Sequence, residues 1–179
     1  MSTIKIHDKT FNLLIPEFVI NKRIKELAEQ LNSELRNEKV VFISILNGSF
    51  MFASDILKLI DFNVQISFLK LASYSGSKST GEIKELIGLN EDVTGKTVVV
   101  IEDIVETGTT LELIKKQISG FEPKALKFMT LLLKPDSYTG SIPVDYVGFR
   151  VPNNFIVGYG LDYDGFGRNY SAIYKADEI

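Results

Sequence analysis

Hydrophobic positions along the chain follow helical and strand patterns in alternation. After Pro16, the run EFVINKRIKELAEQLNSELR has apolar residues at helical spacing and charges on the other face, which predicts an amphipathic helix. These apolar residues are Ile20, Ile24, Leu27, Leu31 and Leu35. Val40 to Leu46 is a continuous apolar run of strand length, followed by the turn NGS, a helical FMFASDILKLI and a second strand, VQISFLKLAS. These segments make one β-α-β unit.

The same order of elements recurs further along. KTVVVIED predicts a strand, a helix follows near TLELIKKQIS, Gly120 ends it, and ALKFMTLLL predicts another strand. Two such units indicate an α/β fold with a central parallel sheet flanked by helices. Ligands of such sheets bind at the carboxyl ends of the strands, so the loops after Leu46 and Asp103 are the candidate binding loops.

The remaining segments lack long periodic runs. Ser73 to Glu82 is small, polar and glycine-containing, which suits either a surface connection or a functional lid. Beyond Lys134 the chain breaks into short pieces rich in Gly, Tyr and Phe, which predicts a small cap beside the sheet. We therefore expect one domain over 1–179, with a core at about 16–134 and a hood from the N-terminal segment and about 135–179.

The composition argues against several classes of partner and of metal ligand. The 179 residues are 45% hydrophobic, enough for one sizeable core, and the net charge of −3 argues against nonspecific binding to nucleic acid or to anionic membranes. No run approaches the roughly 20 apolar residues of a membrane span, so a cytoplasmic protein is expected. With no cysteine and a single histidine, His7, any metal must be held by oxygen, which favours Mg²⁺.

The stretch VVVIEDIVETGTT, Val98 to Thr110, combines a buried strand with acids and a threonine loop. If the loop opens the following helix, its free N–H groups and the helix dipole form a phosphate site. The lysine of a GxxxxGK[ST] loop is missing, and GYGLDYDGFG does not fit the GxGxxG dinucleotide pattern. The acids Glu102 and Asp103 could then hold ribose hydroxyls, Mg²⁺ or a developing cation next to that phosphate.

This stretch resembles the signature with which type I phosphoribosyltransferases bind 5-phosphoribosyl-1-pyrophosphate (PRPP). The order of further segments is similar to hypoxanthine-guanine phosphoribosyltransferases in particular. These segments are residues 45 to 57, SYSGSKSTGEI, LLLKPDS, VDYVGFRVPNNFIVGYGLDY and Arg168. The resemblance implies a purine-salvage transferase that makes IMP, and also GMP, from PRPP with Mg²⁺.

The resemblance also implies a role for individual residues. Ribose hydroxyls and metal would be held by Glu102 and Asp103, and the 5′-phosphate by Thr107, Gly108, Thr109 and Thr110. Pyrophosphate would contact Leu46, Asn47, Gly48 and Arg168, with Asp162 as ligand of a second Mg²⁺, and Ser73 and Tyr74 would begin a lid. The purine would contact Lys134, Phe155, Ile156 and Asp162, and Glu106 would be the general acid or base.

Three positions depart from the family pattern. Glu106 stands where the family usually has Asp, and the extra methylene matters because a misplacement of about 1 Å can cost roughly a hundredfold in rate. Asn47 replaces a Lys of the mammalian type, and Tyr138 stands where Arg is common. Metal would then bear more of the pyrophosphate charge.

Two other interpretations stay open at this point. One is a PRPP-sensing regulator without catalysis on the same fold, since fold alone does not settle function. The other, a generic phosphosugar-binding domain, does not explain Lys134, Phe155 and Asp162 together. By resemblance we expect a homodimer or homotetramer, whereas the preference among hypoxanthine, guanine and xanthine is not readable from side chains.

Overall fold

The computed structural model describes residues 3–72, 84–87, 89 and 91–176. Within these residues the helices are α1 (Glu17–Leu35), α2 (Phe50–Leu57) and α3 (Thr109–Ser119). The larger sheet contains β3 (Val40–Ile45), β4 (Gln65–Ala72), β5 (Lys84–Ile87), β6 (Thr97–Val105), β7 (Ala125–Leu133) and β8 (Tyr146–Arg150). The smaller sheet contains β1 (Thr3–Ile6), β2 (Lys9–Ile15), β9 (Ile156–Val157) and β10 (Ile173–Ala176). None of these described helices is long and apolar enough to cross a bilayer.

The larger sheet confirms the predicted central parallel sheet. Its strand order is β5-β4-β3-β6-β7-β8, and every neighbouring pair is parallel except the edge pair β4 and β5. Val40 pairs with Thr97, and Thr97 with Ala125, so the three central strands start level. Their carboxyl ends therefore meet at one edge, where the candidate loops begin.

Alternate residues of the central strands pack on opposite faces of the sheet. Val99 and Ile101 join the core cluster that contains the buried stripe of α1 and residues of α2, whereas Val98 and Val100 join the cluster that contains α3. The α1 stripe is the predicted one, with Ile20, Ile24, Leu27, Leu31 and Leu35 all buried. Helices thus cover both faces, which explains why the strands are continuously apolar.

The boundary between core and hood differs from the expectation. VDYVGFRV was predicted to belong to the cap, but β8 pairs in parallel with β7 as the edge strand of the larger sheet. Arg23 of α1 donates to the carbonyls of Val147 and Gly148 of this strand, at 2.8 and 3.0 Å. The short, glycine-containing strand lacks the apolar run that identified the others, which is why its pattern was misassigned.

The smaller sheet joins the two ends of the described chain. The hairpin β1-β2 pairs through β2 with β10, and β10 pairs with β9, all antiparallel. Phe11 and Val157 are fully buried in its own core cluster. The N-terminal hairpin and the C-terminal strands therefore form one small second sheet, which we call the hood.

The turn after β3 is anchored by a buried hydroxyl pair. Ser49 donates to the carbonyl of Ile45 at 2.6 Å, and its Oγ lies 2.7 Å from that of Ser44. Both serines are fully buried. The turn that leads into α2 is thereby fixed to the end of the sheet.

We expect Ser49→Ala to lower the free energy of unfolding by about 1–3 kcal/mol, because it leaves the buried Ser44 hydroxyl and Ile45 carbonyl short of a partner. Urea unfolding followed by circular dichroism measures the change. The control is Ser171→Ala, which removes an exposed hydroxyl bonded to Glu17 and should change stability by less than about 0.5 kcal/mol. Equal stability of the two variants would contradict the anchoring role of Ser49.

Candidate active site

The loop between β6 and α3 lines a cavity of about 240 Å³ at the carboxyl edge of the sheet. Gly108 occupies the N-cap position of α3 with a left-handed φ of 91°, and no side chain caps the helix. The start of α3 therefore offers N–H groups to an anion, although that of Thr109 already donates to the Thr107 hydroxyl oxygen at 3.4 Å. Thr107 and Thr109 place their hydroxyl oxygens 3.0 Å apart beside them. The lining residues are Glu102, Ile104, Val105, Glu106, Thr107, Gly108, Thr110 and Leu111.

The two strand-end acids point to different loops. Glu102 follows the alternation of Val98 and Val100 and lines the cavity on the α3 side. Asp103 follows Val99 and Ile101, and its carboxylate lies against Gly48, where a Cβ would come within 1.4 Å of Oδ2. The pair therefore faces two binding loops at once, which the period-two geometry of a strand explains.

Burial perturbs both acids. It raises the pKa of Glu102 well above the usual range, and the neighbouring charge of Asp103 adds to this. It raises the pKa of Asp103 to about 6, against the lowering effect of backbone N–H donors and of the Arg168 charge. A carboxylate that is buried away from water is stabilised by a nearby cation or by hydroxyl donors.

Lys134 and Glu106 form an ion pair across the ends of β6 and β7. The Lys134 side chain is only 8% exposed and that of Glu106 is 50% exposed. Lys134 also donates its backbone N–H to the carbonyl of Val105 at 2.9 Å, continuing the parallel ladder past the strands. The predicted purine donor and the predicted acid or base are thus brought together.

The loop after β3 approaches the hood. The peptide bond between Leu46 and Asn47 is cis, Asn47 is exposed and Gly48 is buried. A Cβ on Gly160 of the hood would come within 2.0 Å of the Gly48 carbonyl oxygen, so only glycine permits this backbone contact. Gly160 was not among the predicted site residues, because a backbone contact between two irregular segments leaves no spacing signal in the sequence.

The hood acid and arginine pair with each other. Arg168 lies 2.5 Å from the Asp162 carboxylate and donates to the carbonyl of Gly160 at 2.7 Å. The other Asp162 oxygen accepts from the N–H of Gly165 at 2.7 Å. Gly160 lies against Gly48 and Gly48 against Asp103, so this hood loop lies near Asp103. There the charge of Arg168 lowers the pKa of Asp103 and that of Asp162 raises it.

Phe155 lies at the surface of the hood, just before buried Ile156 on β9. Its ring is 47% exposed and contacts Tyr163 edge-on, with centroids 5.6 Å apart. Tyr163 in turn donates to Asp8 of the N-terminal hairpin at 2.8 Å. Tyr163 thus supports Phe155 from an irregular segment, where a tyrosine carries no spacing signal in the sequence.

The predicted lid and the predicted metal site are the two remaining expectations. The predicted lid residues Ser73 and Tyr74 lie outside the described residues. In the part of the chain that is described, no three or more acidic or histidine side chains are grouped to hold a metal by themselves. A site built from one or two carboxylates would need oxygens from the ligand to complete the coordination of Mg²⁺.

Known proteins match this chain over most of its length. A family model described as "Phosphoribosyl transferase domain" matches residues 18–164. This chain belongs to that family. It is 38% identical over 157 residues to the hypoxanthine phosphoribosyltransferase of Escherichia coli K12, covering 86% of this chain and 88% of that protein. It is 39% identical over 165 residues to the hypoxanthine-guanine phosphoribosyltransferase of Staphylococcus aureus Mu50, covering 92% of each.

Solved structures agree in fold. A crystal structure of a hypoxanthine-guanine phosphoribosyltransferase from Bacillus anthracis superposes with a TM-score of 0.86 at 40% identity, covering 92% of this chain and 97% of that one. The expected type I phosphoribosyltransferase fold, a parallel sheet flanked by helices, is thereby confirmed.

We expect the free energy of unfolding, measured without ligand, to fall with rising pH in the wild type relative to Asp103→Asn. The pKa of Asp103 is about 6 in the folded protein and about 3.9 when unfolded, so between these values the folded state keeps a proton that the unfolded state loses. Charging the buried carboxylate therefore costs stability, by up to about 3 kcal/mol above pH 6.

Urea unfolding of both proteins at intervals from pH 4 to pH 7.5 measures this difference. Asp164→Asn, which neutralises an exposed acid of the hood, serves as the control and should follow the wild-type profile. Parallel profiles for the wild type and Asp103→Asn would show that Asp103 titrates as an ordinary surface acid.

Proposed function

We propose that this chain transfers the 5-phosphoribosyl group of PRPP to hypoxanthine, and also to guanine, giving IMP or GMP and pyrophosphate. It is a purine-salvage phosphoribosyltransferase by its family and by the names of the relatives that cover most of its length. The observation that carries the residue assignments is the cavity in which Glu102, Glu106 and the uncapped start of α3 meet. The comparisons offer no support for a regulator without catalysis.

The 5′-phosphate is assigned to the loop at the start of α3. The N–H groups after Gly108 and the hydroxyls of Thr107, Thr109 and Thr110 supply donors, and the helix dipole favours negative charge there. The loop lacks the lysine of a GxxxxGK[ST] loop, which suits a phosphate monoester that is bound but not transferred.

The ribose is assigned to the strand-end acids. Glu102 lines the cavity and Asp103 lies against Gly48, so the sugar is assigned to this strand end with the pyrophosphate on the Gly48 side. Carboxylate oxygens are the donors that Mg²⁺ prefers, and we propose Mg²⁺ as the cofactor, held by Glu102 and Asp103 together with substrate oxygens, and by Asp162 at a second position. When bound, the metal neutralises charge on the departing pyrophosphate.

The purine is assigned to the space between Lys134 and the hood. Lys134 donates to the exocyclic oxygen of the base, Phe155 stacks on the ring, and backbone groups of Ile156 contact its edge. A base nitrogen forms the new bond to the anomeric carbon as the bond to the pyrophosphate oxygen breaks. Glu106 takes the imidazole proton that the base loses, a transfer its carboxylate can perform despite the longer side chain.

Pyrophosphate is assigned to the turn at Leu46, Asn47 and Gly48 and to Arg168. Arg168 has donors beyond those used for Asp162 and Gly160, and its planar fork suits phosphate oxygens. Closure by a lid at Ser73 and Tyr74, assembly as a homodimer or homotetramer, and location in the cytoplasm stay predictions.

The direct test is release of pyrophosphate from PRPP and Mg²⁺ in the presence of single bases. We expect release with hypoxanthine and guanine. Adenine should give none because it lacks the exocyclic carbonyl that accepts from Lys134, and orotate and uracil should give none because they are not purines. Omission of Mg²⁺ should abolish the reaction. Binding of PRPP without release with any base would favour the regulator instead.

We expect Glu106→Gln to lower kcat by about 10²–10⁴-fold, because the amide cannot accept the proton, while the dissociation constant for PRPP changes little. Steady-state assays and calorimetric titration with PRPP in Mg²⁺ give the two values. Glu112→Gln removes a charge from the first turn of α3 without touching Lys134 and is the control. Equal turnover of wild type and Glu106→Gln would remove Glu106 from proton transfer.

A further inference from the structure

We propose that Tyr138 is a positioning residue for the phosphate loop, holding Gly108 in the conformation that exposes the N–H groups of α3. The proposal rests on the assignment of the 5′-phosphate to that loop. It concerns a residue that contacts neither sugar nor base, and it makes the segment after β7 part of PRPP recognition.

The ring of Tyr138 covers the α-carbon of Gly108. A Cβ built on Gly108 would lie 2.7 Å from Cε2 and 3.4 Å from Cδ2 of the ring. Gly108 itself is buried and has a φ of 91°, which side-chain-bearing residues rarely adopt. Glycine is therefore required at this position for two reasons, the left-handed φ and the closeness of the Tyr138 ring.

The ring is fixed on its other sides. The Tyr138 hydroxyl donates to the carbonyl of Ile142, and a Cβ on Gly140 would lie 3.0–3.2 Å from the hydroxyl end of the ring. The ring packs against the core cluster that contains Val105, Leu111 and Ile142. The chain thus folds around Tyr138 and leaves one edge of the ring against Gly108.

The backbone of the same segment follows the loop along its length. Lys134 donates to Val105 at 2.9 Å, and Thr139 donates to the carbonyl of Thr107 at 3.4 Å. The Tyr138 N–H returns to the carbonyl of Lys134 at 3.1 Å. One short segment therefore supports the phosphate loop through Tyr138 and places Lys134 at the purine end.

Fixing the loop before binding should strengthen binding. A glycine that no neighbouring ring restrains adopts several backbone conformations. Ordering one such residue on binding weakens the affinity roughly fivefold to thirtyfold. Tyr138→Ala should therefore raise the dissociation constant and KM for PRPP roughly tenfold. Turnover at saturating PRPP should stay close to wild type, because the bound loop has the same conformation.

The test measures PRPP binding by calorimetry without a base, and kcat and KM with hypoxanthine. Tyr138→Phe keeps the ring and should bind PRPP within about threefold of wild type. Leu126→Ala, which truncates a side chain packed on the same cluster at the far end of β7, controls for general loosening and should also bind normally. Failure of the wild type to bind PRPP would defeat the proposed function, whereas normal binding by Tyr138→Ala, or equal weakening by Leu126→Ala, would defeat only this proposal.

A double-mutant cycle tests whether the ring acts through Gly108. Gly108→Ala introduces both the strained dihedral angle and a clash with the ring, and Tyr138→Ala removes the clash. The combined variant should therefore bind PRPP more tightly than the product of the two single losses predicts. Losses that multiply would show that Tyr138 does not act on Gly108, and would overturn the proposal.

Discussion

The site depends on the level, parallel packing of β3, β6 and β7 between helices on both faces. Because these strands start in register and are buried on both sides, their carboxyl ends meet at one edge, and each end is followed by a loop of different chemistry. A turn at Gly48, a helix start at Gly108 and a lysine at 134 are far apart in the sequence. The hydrogen-bonded ladder makes them neighbours before any ligand contributes.

Two glycines and one acid pack closely against each other at this edge of the sheet. The Asp103 carboxylate occupies the space that a side chain at position 48 would need, and the Gly48 carbonyl faces the backbone of Gly160. The hood is therefore fitted to the sheet by close backbone approach. This explains how Arg168 and Asp162, which belong to the hood, come to act on an acid at the end of β6.

The chain sequence predicted what depends on periodicity and on local motifs. The α1 stripe and the central strands were predicted because burial leaves a regular spacing of apolar residues, whereas the phosphate-binding role of the loop after β6 stays a prediction. The alternation along β6 explains the opposite directions of Glu102 and Asp103, which were not among the predictions. The place of β8, the contact of Gly160 with Gly48 and the ring of Tyr138 over Gly108 were not predictable. β8 is a short strand without a continuous apolar run, and the two glycine contacts join irregular segments, so none of the three leaves a regular spacing in the chain.

The pair of Lys134 and Glu106 has a consequence for how the proposed substrate, a neutral heterocycle, would bind. An ammonium so far from water would be costly if it stood alone, whereas the longer acid reaches it and the two formal charges cancel. If the proposed function holds, an uncharged nucleobase would approach a lysine whose charge Glu106 already compensates. The additional methylene that distinguishes this acid from aspartate would then keep Glu106 paired with Lys134 until a carbonyl oxygen of the base took its place.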